Sequence, residues 1–529
     1  MDKIIGFTIS KEKISHRDID IFNIGLTKKE IQRNKMYIYL WGIGDIDKCT
    51  IDNKYTLSFP INGSLLDRNI LIYLEGKNII VENDWLGSIP IFYNLKEIIV
   101  STLSLKCLKD KAIHPEGLNN YFEFGYSILE QTPFTNVKFM RYFSKLIINK
   151  KRIKIEHKND PILQHRLFNK VEDEEIVLGK IQDYILNVEN QTKGEIILPT
   201  SGGYDTRLLN ICINDKSRIR GFTYGISKEQ SRSFEVIYAK KISEILNIKW
   251  EQIQLGDYHK YINEWFKIYG FSTHLHGMYH IEFYKKILER NNFSKNVTFL
   301  SGIIGDAWSG NVKLEKIRKE TDLSILGYTH GVNLDKSHLN YINNTNKIRL
   351  NFFKENIKHL ENYKKRVIFS MRFKLCLLSY LTQIPEYFGF PVWTPFLNFD
   401  VVTSMLNVKE DRRKDRLWQK SFFAKKGLDL ESMNLKIDKT NRLDYDSSNN
   451  YYFEPIDIEL MQKYINKDYL KAINYKLSHR NFIDNIKNKM LSIRYIGGAF
   501  RRVKIKNNIL ENLYSWCIIK SIEMALKRK

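Results

Sequence analysis

Two acids, Asp205 and Asp306, each sit in a loop of small residues directly after a short apolar run. The first loop is Ser201-Gly-Gly-Tyr-Asp-Thr206, preceded by Ile196-Ile-Leu198 and followed by the helix-compatible Arg207-Leu-Leu-Asn-Ile-Cys-Ile213. Gly202 and Gly203 let the backbone approach a ligand, so its N–H groups and the positive end of a helix can converge on phosphate oxygens. A carboxylate beside a polyphosphate repels it unless Mg²⁺ lies between them. Asp205 therefore reads as a metal ligand, Ser201 and Thr206 as hydroxyl donors, and the whole as an ATP phosphate site. It is no Walker loop, because no Gly-Lys-Ser/Thr follows. The second loop lies within Asn296-Val-Thr-Phe-Leu-Ser-Gly-Ile-Ile-Gly-Asp-Ala-Trp-Ser-Gly310, where Gly302 and Gly305 lead to Asp306 as the second metal ligand.

These loops need a scaffold that brings them together. Short buried strands alternating with helices predict an α/β fold with a parallel sheet, whose ligands bind beyond the carboxyl ends of the strands. Arg218–Gly225 and Ile248–Leu255 read as further strands, and Ser233–Leu246 has helical periodicity. Glu235 in that helix reads equally as a first-turn acid favourable to the helix dipole. His274, His276 and His280 precede or open another helix. No Cys or acid nearby completes a zinc shell, so they are expected to line a loop, with contact to a substrate as the alternative. Beyond Gly310 the chain becomes mainly helical.

The two loops resemble those of the asparagine synthetase family, the glutamine-hydrolysing class B type, in which the first loop is Ser-Gly-Gly-x-Asp-Ser. Thr206 replaces the last Ser. Ser301, Gly302, Gly305 and Asp306 match the second loop, whereas Ile303 and Ala307 replace its two further acids. In the family the position of Ile303 is a Glu that helps the incoming amine lose a proton, so the resemblance implies adenylation without asparagine synthesis. The resemblance places Tyr224 and Gly225 over the adenine, with Glu235 and Ala239 in the helix behind. It extends to Trp393-Thr-Pro-Phe-Leu-Asn-Phe-Asp400, where Asn398 replaces Asp, and to Lys414–Lys420 and Asn434–Asn441, which return a lysine to the site. Lys439 is the choice for that catalytic lysine and Lys436 its competitor.

Asn83–Tyr93, Ile98–Cys107, His114–Tyr126 and Thr132–Phe134 resemble the end of the family's glutaminase-like domain. The resemblance thus implies two domains. Residues 1–160 would be an N-terminal-nucleophile hydrolase-like α+β layered domain, with Lys150–Asp160 as the join. Residues 161–529 would be an ATP-pyrophosphatase domain with a helical C-terminal part. Glutamine hydrolysis requires a free N-terminal Cys, whereas residue 2 is Asp and Cys49 has no free amine beside it. The chain is thus similar to a divergent member using ATP and Mg²⁺ to adenylate a small-molecule or glycan carboxylate, with ammonia or another amine as acceptor. Its Tyr204-Asp-Thr-Arg207 variant looks most like synthetase-related proteins of bacterial surface-polysaccharide pathways. An intramolecular cyclase of the β-lactam or lasso-peptide type and a catalytically silent nucleotide-binding homologue are the alternatives.

The 529 residues exceed one core's usual size, and 43% hydrophobic with 13% aromatic residues can fill two. The net charge of +24 invites nucleic acid, but residues 461–529 hold sixteen Lys or Arg against four acids, half of the excess, and no RNA-binding motif accompanies them. Nucleic acid is not the expected partner. Five cysteines without paired spacing, no signal segment and no apolar run of about twenty residues predict a reduced, cytoplasmic chain without a transmembrane segment. Ile509–Lys529 has apolar residues at helical spacing and a basic end. It is expected to pack on the synthetase half, with peripheral contact to an anionic membrane or glycan as the other option.

Overall fold

Alternating apolar residues in the first 157 positions build two antiparallel sheets. Their strands are β1 (Lys3–Ser10), β2 (Thr27–Arg33), β3 (Met36–Ile43), β4 (Thr50–Ile51), β5 (Lys54–Thr56), β6 (Ile70–Glu75), β7 (Asn78–Asn83), β8 (Phe92–Asn94), β9 (Ile99–Ser101), β10 (Val137–Phe139), β11 (Ser144–Asn149) and β12 (Arg152–His157). The sheet orders are β10-β8-β9-β1-β3-β2 and β12-β11-β7-β6-β5-β4. β1 pairs with β3 from Lys3↔Ile43 to Ser10↔Tyr37. Ile4, Phe7 and Ile9 of β1 meet Ile72, Val81 and Leu146 of the other sheet in one core. The structure, a computed structural model, describes residues 2–16, 19–58, 63–164, 166–294, 296–328, 334, 336–340, 347–479 and 508–528.

This sandwich differs from the layered sheets and helices expected for residues 1–160. Its described α-helices are Ser104–Cys107 and Pro115–Phe124, too little to cover a six-stranded sheet. Cover comes from the rest of the chain: Ile5, Trp41, Phe92 and Ile99 on the outer face of the first sheet share a core with Trp265, Tyr284 and Phe388. β1 is accordingly buried at every position. β11 instead alternates buried and half-buried residues, as a sheet open on one face does. The basic stretch expected to join the halves is itself part of a sheet, because Arg152–His157 pairs with Ser144–Asn149. The crossing comes later, before the helix Glu174–Gln191, which Asp173 caps by accepting from the Glu175 N–H.

The expected parallel sheet is present. β13 (Ile196–Pro199), β14 (Ile219–Thr223), β15 (Lys249–Gln252), β16 (Thr298–Leu300) and β17 (Val392–Trp393) lie in the order β15-β14-β13-β16-β17, all pairs parallel. Ile196, Ile197 and Leu198 are fully buried, which is why that run carries no polar alternation. From β13 the chain adds strands first on one side and then on the other. A crevice opens at such a reversal, beyond the strand ends.

The seam between the halves is charged and buried. Arg68 donates twice to Glu386, at 2.8 and 2.9 Å, and Lys3 Nζ lies 3.0 Å from the same carboxylate while donating to the Val392 carbonyl at 3.0 Å. Asn398 shows what its replacement of Asp accomplishes. Its Oδ1 accepts from the Asp400 and Val401 N–H groups as a helix cap, while its amide donates to Asp67 Oδ2 at 3.3 Å. Asp67 is pushed up to about 6 by burial, and a second carboxylate there would repel it.

The helix Asn508–Lys527 is buried along Leu513, Trp516, Ile518, Ile519 and Ile522. Its apolar face is used inside the protein, as expected of packing on the synthetase half. Residues 480–507, which carry much of the basic excess, lie outside the described residues. Tyr363–Tyr387 is long and apolar enough to cross a bilayer by composition, but 83% of its most apolar window is buried within the protein.

Candidate active site

A cleft of about 500 Å³ opens at the carboxyl ends of β13, β14 and β16, lined at one end by Ser201, Gly203, Asp205, Thr206, Ser301, Gly302 and Asp306. The first loop feeds the helix Tyr204–Cys212, whose N-terminal residue Gly203 offers no side-chain cap. Its first-turn N–H groups have no partners within the helix, so they point to an incoming anion. Without an anion the loop satisfies itself: the Gly203 N–H donates to Ser201 Oγ at 3.2 Å and the Ser201 N–H to Thr206 Oγ1 at 3.1 Å. A Cβ on Gly202 would stand 2.8 Å from the Phe234 ring and 2.9 Å from Tyr238, so glycine permits the approach of the neighbouring helix Phe234–Leu246.

The two aspartates meet. The Asp306 N–H donates to Asp205 Oδ2 at 2.8 Å, and a Cβ on Gly305 would lie 2.7 Å from Asp205 Cγ. Asp205 is half-buried, and its buried Oδ1 has no hydrogen-bond partner. Burial first and the Asp306 charge second push its carboxyl well above the ordinary carboxylate range. A divalent cation at this pair would relieve both causes, so the donor set fits Mg²⁺. Among the described residues no cluster of three or more acids, His or Cys could hold a metal. Mg²⁺ is commonly held by one or two carboxylates plus the phosphates of its substrate, which two aspartates suffice to do.

Tryptophans pin the second loop. Trp308 Nε1 donates to the Phe396 carbonyl at 2.9 Å, Trp418 Nε1 to the Ser309 carbonyl at 3.1 Å, and the Ser301 N–H to the Trp393 carbonyl at 3.0 Å. Ile304, just before Asp306, has φ 50° and ψ 14°, an outlying conformation for a β-branched residue. Ile303 lines the cleft and Ala307 is in the core, so both positions beside Asp306 are apolar.

The opposite end of the cleft is aromatic: Phe222 in β14 and Tyr224 just after it, Tyr279, His280, Phe283 and Tyr284 from the helix Met278–Arg290, and Tyr380. Tyr224 packs edge-on to Phe283 at 5.2 Å between ring centroids. The histidines depart from the expected polar loop lining. His274 and His276 stack at 4.4 Å inside the protein, and His280 closes the cleft with its Nδ1 buried and unpartnered. Burial holds His274 down to about 4 and His280 to about 3, so both are neutral.

Other expected site residues stand nearby. Glu235 lines the cleft and hydrogen-bonds with Ser233. Gly225 lies against the Gln230 carbonyl and not on the cleft. The segment around Lys439 does return beside the first loop, where the Phe234 N–H donates to the Asp438 carbonyl at 2.9 Å. Lys439 itself is exposed, with Nζ 5.9 Å from the Phe234 ring centroid, outside the cleft lining, and Lys436 is exposed too.

Three cations emerge that sequence reasoning missed. Arg207 is fully buried and donates to the Gly202 carbonyl at 3.0 Å and to both oxygens of Glu431 at 2.9 and 3.0 Å, clamping the loop. The charge of Arg416 lowers, and so partly offsets, the upward shift of Asp205, and the charge of Asp306 acts on Lys374, whose ammonium is held down mainly by burial. Lys374 interrupts the apolar helix Tyr363–Leu378, a signal visible in the sequence.

No family model matches this chain, and no curated protein matches it. Among solved structures, matches include the NH3-dependent NAD synthetase from Campylobacter jejuni subsp. jejuni NCTC 11168 in complex with the nitrate ion, at 14% identity, covering 38% of this chain and 93% of that one, with a TM-score of 0.21. At that TM-score, the chemistry of the cleft rests on its own geometry.

Proposed function

We propose that this chain is an ATP-dependent amide-forming ligase, which activates a substrate carboxylate as its adenylate and passes the acyl group to an amine. One observation carries the reading: at the N-terminus of a small-residue loop helix the Asp205 carboxylate accepts from the backbone N–H of Asp306, 101 residues away in sequence, while its other oxygen is buried without a partner. Asp205 and Asp306 would hold Mg²⁺, which when bound supplies charge neutralisation for the nucleotide's phosphates. The Ser201–Thr206 loop would take the phosphate oxygens through its backbone N–H groups and hydroxyls. Tyr224, Phe283 and Tyr284 offer faces and edges on which a purine can pack. Lys439 would add positive charge from outside the loop as the phosphoanhydride breaks.

The amine does not come from glutamine on this reading. Cys49 is fully buried and its thiol is pushed up to about 11 by burial, and Lys3 is tied to Glu386. Free ammonia or an amine of the substrate is the acceptor, and a uronic acid of a surface glycan is a carboxylate of the right class. The test is exchange of labelled pyrophosphate into ATP with a panel of carboxylates, followed by product formation with and without ammonium. Exchange that depends on one carboxylate supports the ligase, and product formed without added amine assigns an internal cyclisation. Tight Mg²⁺·ATP binding with no exchange for any carboxylate would assign a silent nucleotide-binding protein.

A further inference from the structure

We infer that Arg416 is the side chain that receives the departing pyrophosphate, an inference that rests on the adenylating reading of the cleft. The step requires such a group. A carboxylate oxygen bonds to the α-phosphorus while the bond to the α–β bridging oxygen breaks, and the electron pair leaves on pyrophosphate, with no proton transferred. The leaving group thereby gains negative charge beside Asp205 and Asp306, themselves negative.

Three features single out Arg416. The first is its backbone: Asp415 (φ 49°, ψ 25°) and Arg416 (φ 57°, ψ 38°) are consecutive non-glycine residues in the left-handed region. Such conformations persist where the surroundings impose them, and they concentrate at functional sites. Here the surroundings are the second acidic loop. Gly310, at φ +109°, lets the Arg413 carbonyl approach so closely that a Cβ would stand 2.0 Å from it, and Trp418 donates to Ser309 on the other side of the turn. The turn is therefore clamped to the loop that carries Asp306.

The second feature is position. The guanidinium carbon lies 4.1 Å from the ring centroid of Tyr204, the first residue of the phosphate-loop helix, and its charge reaches Asp205. Arg416 so spans from the second loop to the first. The third is availability. Nearby Arg412 is paired with Glu174 at 2.6 Å and Arg207 with Glu431, whereas no carboxylate among the described residues pairs with Arg416. Its planar fork of N–H donors matches the oxygens of a phosphate.

Glycine is at ease in the left-handed region, so Arg416→Gly separates the guanidinium from the turn that presents it. Calorimetry on the full chain with Mg²⁺ would compare inorganic pyrophosphate, ATP and AMP as ligands, with a thermal melt of each variant. Arg416→Gly is expected to weaken pyrophosphate and ATP at least tenfold, leave AMP within twofold and leave the melting midpoint equal or higher. Arg416→Lys should recover part of the loss, and Lys439→Ala should cost less than Arg416→Gly. Pyrophosphate binding within twofold of the parent would overturn the inference while the adenylating reading stands. So would a lowered midpoint with equal losses for AMP and pyrophosphate, which assigns Arg416 to the fold. A parent that binds neither ATP nor pyrophosphate overturns both.

Discussion

Two clusters of buried charge lie in this protein, one at the seam between its halves and one in its cleft. At the seam, Glu386 is met by Arg68 through two hydrogen bonds and by Lys3 at 3.0 Å. In the cleft, Asp205 and Asp306 are brought together, neither forms an ion pair among the described residues, and one oxygen of Asp205 has no partner. Burying a charge is costly unless it is paired and hydrogen-bonded. The seam meets that requirement from within the chain and holds two halves in register. The cleft leaves it unmet, as expected where the missing partner is a ligand.

The sharpest way to break this contrast is to make the seam resemble the cleft. Glu386→Gln leaves Lys3 and Arg68 facing each other without an anion. Breaking a buried pair costs about 3–5 kcal/mol, to be read as a lower urea midpoint. Nucleotide cleavage per folded molecule should persist, and its loss would make the seam part of the site. Asp306→Asn is the counterpart in the cleft, expected to lower pyrophosphate exchange by about 10²–10³-fold with the fold intact by circular dichroism. Exchange at the parental rate would sink the metal-ligand assignment.

The seam also has a pH signature. Burial first, then the Arg68 charge against the attraction of Glu386, holds Lys3 down to about 8, below its ordinary 10.5. Between those values the unfolded chain binds more protons, so this group adds stability as pH rises from about 8 to 10.5. Lys3→Met should flatten that rise, by roughly 3 kcal/mol across the interval, measured as the difference between variant and parent urea unfolding. An unchanged slope would show Lys3 to be solvated. Asp205 has the opposite sign. Its folded value is raised, so stability falls with rising pH through the window above about 3.8. Asp205→Asn should therefore stabilise the metal-free protein at neutral pH by about 1–3 kcal/mol, an effect that added Mg²⁺ should diminish.

Much of the parallel-sheet half was legible. Ile196-Ile-Leu198 and Thr298-Phe-Leu300 are apolar throughout because both faces of a central parallel strand are covered, and small residues after each strand mark the loops. The helices Tyr204–Cys212 and Phe234–Leu246 fall where their periodicity put them. The first half was harder. Trp41, Phe92 and Ile99 are apolar on the outer face of a sheet, and nothing local says whether a helix of the same domain or another part of the chain covers them. The histidines misled for a similar reason: a polar residue type suggests a wet loop, while the fold buried them beside Trp265 and Tyr380.

Sequence by itself determined the chemistry available here. It set two acid-bearing small-residue loops behind apolar strands and an apolar Ile303 where an acid could stand. Only the tertiary structure decided which groups share a place. That Asp205 and Asp306 touch, that Arg207 locks the first loop, that Arg416 lies over Tyr204 while Lys439 lies by Phe234, and that Lys3 is spent on Glu386 are all contacts between residues far apart in the chain. Local propensity acts over a few residues, whereas such contacts are fixed by the packing of whole strands and helices, to which each loop contributes only its ends.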